Sequence, residues 1–554
     1  MTRTGAQIVA ECLIEQGVDT VFGYPGGNVI TLYDALYDYS DRIHHVLTAH
    51  EQGATHAADG YARTTGRPGV VIATSGPGAT NLVTGIATAF MDSIPMVAIT
   101  GNVTNAQLGK DTFQEIDIFG VTMPVTKYNF IIKDIAELAD ALRRAFEIAM
   151  AGRRGPVLVD ILKDVFAATA DFEPKTPART RPMAAPEDDI AAVAALIDES
   201  KRPMIYAGGG VISAEASDEL RALAQKIGAP VTLSLMGLGA FPADDPMFTG
   251  MIGMHGTKVS SLALNACDLL LVAGARFSDR VISDPKHFAK NAKIIHMDAD
   301  AAEVNKNIRV HRAVVGDIRH TLAALNGRVE EAPRAHWAAQ IALWKREYPR
   351  IEESNALSPQ YIIDSVAGMM GEDDIVATDV GQHQIWTAQC YPVKKPRTFI
   401  SSGGLGTMGF GLGAAIGAQM AHPERRVVLF TGDGSFHMNM NELITASMNG
   451  LPIVIVLMNN GVLGMVRQWQ KVLFNRRYSQ TTLKRKTDYI KLAEAFGCAG
   501  FTVERKEDLI PTLEKAFAAG VPALVNCLID MDANVLPMVP AGKPIDDPIL
   551  RIEN

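Results

Sequence analysis

Short apolar runs recur along this chain, and patterns with helical spacing separate them. Val427 to Phe430, Pro452 to Met458, Met204 to Ala207 and Leu269 to Ala273 are such runs. Their alternation with helical segments predicts parallel sheets with crossover helices, an α/β class. Two stretches break the rhythm. Residues 172–189 carry Pro174, Pro177, Pro182 and Pro186 and read as a linker. From Gly327 to Leu357 the pattern lapses again, with Trp337 and Trp344 placed to anchor a connecting helix. Ser358-Pro359 then reads as a helix start, Ser as cap and Pro in the first turn. Three doubly wound parallel-sheet domains are expected, at 1–170, 190–326 and 358–554, the last with a C-terminal tail.

The richest chemistry lies at 431–460. Thr431-Gly-Asp-Gly-Ser follows one strand run, and Asn459-Asn460 ends the next. Both tips lie at the carboxyl ends of expected strands, where open α/β sheets bind ligands. Asp433 offers an anionic oxygen and Asn460 a neutral one, a pair suited to Mg²⁺ with phosphate oxygens and water completing its shell. Gly432 and Gly434 allow close approach of a diphosphate. Ser435 is expected to start a helix whose free N–H groups face that anion. Gly-Asp-Gly alone is usually a turn; the strands on both sides and the Asn pair make it a site.

The same unit occurs earlier. Val70 to Asn102 aligns without gaps on Val427 to Asn459, with nine identities in 33 positions, among them Thr74/Thr431, Pro95/Pro452 and Val97/Val454. This predicts a duplication placed in the first and third domains. Gly76 stands where Asp433 stands, so the first copy lacks the metal carboxylate and is free for another task.

Composition narrows the class. The 554 residues are 47% hydrophobic and 20% charged, which fits substantial cores. A net charge of −9 without a dense basic block argues against nucleic acid or an anionic membrane as partner. Five scattered cysteines with no Cys-x-x-Cys read as reduced core residues. No apolar run reaches membrane-spanning length. The start, MTRTGAQIVAECL, is expected to enter an amphipathic helix at once, without a targeting pattern, so a cytoplasmic location is expected.

In the middle region, the glycines 208 to 210, Gly274-Ala-Arg276 and the strand-end acids Asp298 and Asp317 have the features of a dinucleotide site. Read by themselves they fit a nucleotide-holding fold and an empty one equally.

The Gly-Asp-Gly and Asn-Asn pair resembles the thiamine diphosphate (ThDP) motif. That resemblance gives Glu51 a task. It follows the run His45 to Leu47 in the metal-free half. Most glutamates are merely solvated, but ThDP needs one desolvated carboxylate against its pyrimidine ring to promote loss of the C2 proton. The coenzyme would then bridge the first and third domains.

Longer segments point to one branch. GYPGGNVITLYDAL (23–36), HEQGATHAADGYARTTGRPGVV (50–71), DTFQEID (111–117), MHGT (254–257), VGQHQIW (380–386), SGGLGTMGFGLGAAIG (402–417) and GMVRQWQ (464–470) resemble the catalytic large subunit of acetohydroxyacid synthase, also called acetolactate synthase. The likeness runs over nearly the whole chain. It implies decarboxylation of pyruvate and ligation to a second pyruvate or to 2-ketobutyrate, giving 2-acetolactate or 2-aceto-2-hydroxybutyrate. It implies Asp433, Asn460 and the Val462 carbonyl as Mg²⁺ ligands, and Glu51 as the pyrimidine acid. Gln382 and His383 would lie by the diphosphate, Gly406 and Met408 by the aminopyrimidine. Gly27 and Gln114 would approach the reacting carbons. Phe113, Lys163, Met465, Val466 and Trp469 would line the substrate channel, with Trp469 favouring 2-ketobutyrate. Arg153, Gly208, Gly209, Gly210, His255, Gly274, Arg276, Asp298 and Asp317 would contact a structural FAD. Gly461 to Thr482 would form a cap over the site. A homodimer or tetramer with the site at the subunit interface is implied, and a regulatory small subunit is compatible with it. The alternatives are another ThDP-dependent 2-oxoacid decarboxylase or carboligase, a flavin or nicotinamide oxidoreductase, and a non-catalytic nucleotide sensor.

Overall fold

The structure, a computed structural model, describes residues 1–177, 182–350 and 357–552. Residues 178–181 of the expected linker and 351–356 of the second break lie outside the described residues.

Three six-stranded sheets, each parallel throughout, carry the fold. The first runs His44–Leu47, Thr20–Tyr24, Gly69–Ala73, Met96–Asn102, Pro156–Leu162, Tyr128–Ile132 across the sheet. The third runs Phe399–Ile400, Ile375–Thr378, Val427–Gly432, Val454–Asn459, Ala523–Leu528, Ala499–Val503. Counted within its own domain, each has the order 2-1-3-4-6-5. The two aligned sequence segments form strands three and four of both, so the repeat is one of topology as well as of residues. The middle sheet is different. Its strands Phe248–Met251, Val231–Leu233, Pro203–Ala207, Leu269–Ala273, Lys293–Asp298 and Arg312–Val315 lie in the order 3-2-1-4-5-6, the order of dinucleotide-binding folds.

The first and third domains share one hydrophobic cluster, in which Phe22, Val46 and Leu82 join Ile375, Phe410 and Leu443. At its centre the helices Glu51–Thr65 and Phe410–Ala421 pack backbone to backbone. A side chain at Gly60 would collide with the Ala414 carbonyl, and one at Gly417 with the Ala57 carbonyl. Glycine is required at both for this close approach. Beside it the buried Arg63 guanidinium is paired with Asp59 and, at 2.9 Å, with Asp92. Asp92 also accepts the N–H groups of Gly403 (3.1 Å) and Gly404 (2.6 Å). A carboxylate of the first domain thus holds a loop of the third.

Several local readings meet their structures directly. Ser358 caps the helix Pro359–Ala367, accepting the Tyr361 N–H at 3.2 Å. Trp337 lies buried against Trp344 in the middle domain's core and donates to the Pro203 carbonyl. Cys12, Cys267, Cys498 and Cys527 are buried, Cys390 is half-buried, and none is disulfide-bonded. Other readings shift. The first helix is Gly5–Glu15, and the strand Thr2–Thr4 precedes it, pairing antiparallel with Thr169–Asp171. Ser435 does not start its helix: Gly432 in extended conformation is the cap, Asp433–Asn439 is helical, and Ser435 donates to the Val380 carbonyl. The tail crosses to the middle domain. Val539 N–H donates to Met254, Lys258 to the Asp546 carbonyl, and Ile545 enters the middle core. Among the described residues no helix is long and apolar enough to cross a membrane.

Candidate active site

Apart from Arg153, which precedes Pro156–Leu162, the proposed site residues of the first domain follow the carboxyl ends of its strands. Gly27 follows Thr20–Tyr24, Glu51 follows His44–Leu47, Phe113 and Gln114 follow Met96–Asn102, and Lys163 follows Pro156–Leu162. Parallel strands bring these loops to one edge. Glu51 is the first residue of its helix and half-buried. Its Oε2 accepts the Asn81 amide N–H at 2.9 Å. His50 stands outside the helix in extended conformation, and its Nδ1 caps the Gln52 N–H at 3.1 Å. Gln114 has a left-handed backbone (φ 61°), pressed against the turn at Gly76. Phe113 is 87% exposed, costly for a phenyl ring in water.

The third domain presents the matching edge. Gln382 and His383 open the helix Gln382–Cys390 after Ile375–Thr378, Gly406 and Met408 follow Phe399–Ile400, Asp433 follows Val427–Gly432, and Asn460 follows Val454–Asn459. Asp433 is buried, and among the described residues no Lys, Arg or His pairs with its carboxylate. Burial pushes its pKa up to about 6, against backbone N–H groups of Asp433, Gly434 and Gly461 and the nearby Arg485 charge, which favour the charged form. The Asn460 amide donates to Gln382 Oε1 at 3.2 Å, and its Oδ1 accepts the Val462 N–H at 3.2 Å. His383 is buried beside Gly432 with no partner for Nε2 among the described residues, and burial pushes its pKa down to about 3. An unpaired buried carboxylate, an orphaned imidazole nitrogen and a helix start at one strand edge fit a cation with a phosphate-bearing ligand. No group of three or more His, Cys, Asp or Glu among the described residues could hold a metal alone. That suits an ion whose other ligands come from phosphate and water.

Between the middle domain and these loops lies a cavity of about 1480 Å³. Arg153, Gly208, Gly209, Gly210, His255, Gly274, Arg276, Asp298 and Asp317 all line it, with Gly406, Met408, Met465 and Trp469 at the third-domain end. Gly208 and Gly210 lie against Gly274, where a Cβ would meet backbone. Arg153 is held by Glu303 (2.7 Å) and Ser93 (2.8 Å). His255 Nδ1 bonds the Pro537 carbonyl, and burial pushes its pKa down to about 4. Asp317 also serves as helix cap, accepting the His320 N–H.

The segment 461–482 contributes Met465 and Trp469 to the cavity wall. Its helix, Gly464–Leu473, turns Trp469 toward the middle domain, where the Arg280 guanidinium sits 5.8 Å over the indole. Leu463 bonds Thr481 and Leu483 bonds Gly461, each at 2.8 Å, so the segment's ends are tied together. Val466 is 44% exposed.

Comparison with known proteins decides among the readings. Three family models match in chain order: "Thiamine pyrophosphate enzyme, N-terminal TPP binding domain" at 3–121, its central domain at 190–325 and its C-terminal TPP binding domain at 379–527. The acetolactate synthase large subunit of Corynebacterium glutamicum is 46% identical over 98% of this chain and 90% of its own length. The isozyme 2 large subunit of Escherichia coli is 45% identical over 97% and 98%. A probable acetolactate synthase large subunit of Methanocaldococcus jannaschii is 46% identical over 99% and 96%. The chain belongs to the acetolactate synthase large subunits. It is a ThDP enzyme and a transferase of that family.

Within one acetolactate synthase chain, the residues proposed from the sequence fall into three groups. Glu51, Gly27, Gln114, Phe113 and Lys163 share the first domain's edge; Gln382, His383, Gly432, Asp433, Gly434, Ser435, Asn460 and Val462 form the third domain's cradle; the rest line the cavity or its cap. Among the described residues no hydrogen bond or ion pair joins Glu51 to the cradle. Sequence reasoning missed Asp92, described above, and Asp379. The Asp379 carboxylate, fully buried, accepts the N–H groups of Val380 (2.9 Å) and Gly409 (2.8 Å) and fixes the loops that carry Gly406, Met408 and Gln382. Its place at a strand end was a usable signal; nothing local marks Asp92.

Proposed function

We propose that the chain decarboxylates pyruvate and joins the remaining two-carbon unit to a second pyruvate or to 2-ketobutyrate, releasing 2-acetolactate or 2-aceto-2-hydroxybutyrate for branched-chain amino acid synthesis in the cytoplasm. The observation that carries this reading is the cradle of Asp433, Asn460 and the orphaned His383 nitrogen, at the strand ends of a sheet whose duplicate carries Glu51 at its own strand ends. When bound, ThDP supplies the carbon nucleophile and the electron sink that decarboxylation of a 2-oxoacid needs.

The chain's own residues do the rest. Asp433, Asn460 and the Val462 carbonyl hold Mg²⁺, and His383 and Gln382 meet the diphosphate. Gly406 and Met408 receive the aminopyrimidine. Glu51 would hold a proton opposite that ring. Gly27 and Gln114 border the reacting carbons, while Phe113, Lys163, Met465, Val466 and Trp469 line the approach and keep water out. The cavity of about 1480 Å³ holds FAD as a structural group, since the net reaction involves no redox change. Two copies complete each site, the first domain of one meeting the third of the other. The 87% exposure of Phe113 and the lack, among the described residues, of a hydrogen bond or ion pair between Glu51 and the cradle support that pairing. A tetramer and a regulatory small subunit are compatible with it.

Trp469→Leu is expected to change the ratio of 2-aceto-2-hydroxybutyrate to 2-acetolactate more than the total rate, because the indole is half-buried between the cap and Arg280. A mixed-substrate assay reads the ratio, and an unchanged ratio would show that the tryptophan only packs. The function itself is tested by incubating purified protein with pyruvate, ThDP and Mg²⁺, with and without FAD. Acetolactate, seen as acetoin after acid treatment, is the expected product. Acetaldehyde alone would mark a simple decarboxylase.

A further inference from the structure

We propose that Glu442 is a positioning residue, fixing from the third domain the backbone that aims Glu51 of the same chain. Glu442 closes the turn Met440–Glu442, directly after the helix that begins at Asp433, and is 0% exposed. Its Oε2 accepts the Ala49 N–H at 3.1 Å and the Thr445 hydroxyl at 2.6 Å. The His50 N–H points at the same carboxylate, and the Asn441 amide lies 3.3 Å from Oε1. Gly53, on the first turn of the Glu51 helix, has no room for a side chain because the Glu442 carboxyl occupies that space. Among the described residues no cation pairs with Glu442.

A buried, unpaired carboxylate is costly, and a neutral side chain would pack there at less expense. What the carboxylate supplies is acceptor capacity. Four donors converge on it, two of them the successive N–H groups of residues 49 and 50. Those residues set the direction in which Glu51 leaves the helix start. The Thr48 hydroxyl, bonded to the His50 carbonyl at 3.1 Å, braces the same strap. Burial and the neighbouring Glu51 charge both raise the Glu442 pKa, in keeping with its lack of a counter-ion.

The inference rests on Glu51 being the acid that meets the coenzyme, and the test separates the two claims. The readout is exchange of the C2 proton of bound ThDP for deuterium, followed by acid quench and NMR, with Mg²⁺ and no substrate. Glu442→Gln offers one acceptor oxygen to four donors. It is expected to bind ThDP with nearly unchanged affinity and to slow the exchange by roughly tenfold to a hundredfold, the cost of a small misplacement. Thr445→Val, which removes one bond to the same oxygen, is expected to slow it several-fold and stands in if the first variant does not fold. Wild-type exchange in both would overturn the proposal. So would a loss of ThDP affinity as large as the loss of exchange, which would mark Glu442 as packing alone. Glu51→Gln, measured alongside, is expected to abolish exchange. Normal exchange there would remove the reading of Glu51, and the proposal with it.

Discussion

Glu51→Gln is expected to keep ThDP, Mg²⁺ and FAD bound while losing roughly a hundredfold or more in kcat, the share of a positioned acid/base. The substitution is nearly isosteric. The amide oxygen can still accept the Asn81 N–H that holds the carboxylate at 2.9 Å, so the helix start and its His50 cap should survive. What the amide lacks is an exchangeable acid proton at the oxygen facing the ring. Steady-state kinetics on protein whose ThDP content has been titrated separates the two effects. Near-normal turnover with full ThDP occupancy would take Glu51 out of the mechanism.

The second large effect is expected at Asp433. Asp433→Asn removes the one charged group proposed to hold the metal, and Mg²⁺-dependent retention of ThDP should fall at least about a hundredfold, as for loss of a buried charge partner. Stability should move the other way. Burial raises the Asp433 carboxyl from its ordinary value of 3.8 to about 6 in the metal-free fold. A carboxyl raised on folding favours the native state less as pH climbs from about 4 to about 6, and above that the cost of its charge is complete. At pH 7.5 in chelator the asparagine variant should therefore be at least as stable as the parent. The difference should fade below pH 4, where both side chains are neutral. Thermal unfolding in chelator at the two pH values checks the sign. A variant less stable than the parent at pH 7.5 would contradict the view that this buried charge waits for a cation.

Much of this site is legible in the sequence because its parts are local. A buried parallel strand is a short apolar run, and the residues just after such a run stand at the sheet's carboxyl edge. That logic places Asp433, Asn460 and Glu51 at strand ends, where the sheets hold them. The gapless repeat of 70–102 in 427–459 anticipates two sheets with the same strand order. The glycines 208 to 210 and Asp298 likewise lie on a sheet in dinucleotide order. The hidden part is pairwise and distant. Glu442 meets Ala49 across 393 positions, and Asp92 meets Gly404 across 312. No spacing rule links such residues, since the packing of two helices at Gly60 and Gly417 brings them together. The helix start at Asp433 instead of Ser435 escapes the sequence for a smaller reason: Gly432, extended, caps it without a side chain.

The central claim is that one copy's acid serves the coenzyme held by another copy's metal, and subunit complementation tests it most directly. Glu51→Gln and Asp433→Asn, each nearly inactive alone, are unfolded together, refolded together and assayed for acetolactate. Sites shared across a two-fold interface give mixed dimers one site free of both changes, so about a quarter of parental activity should return. If each site were built within a single chain, every site in the mixture would carry one defect, and activity no higher than that of the separate variants would contradict the account.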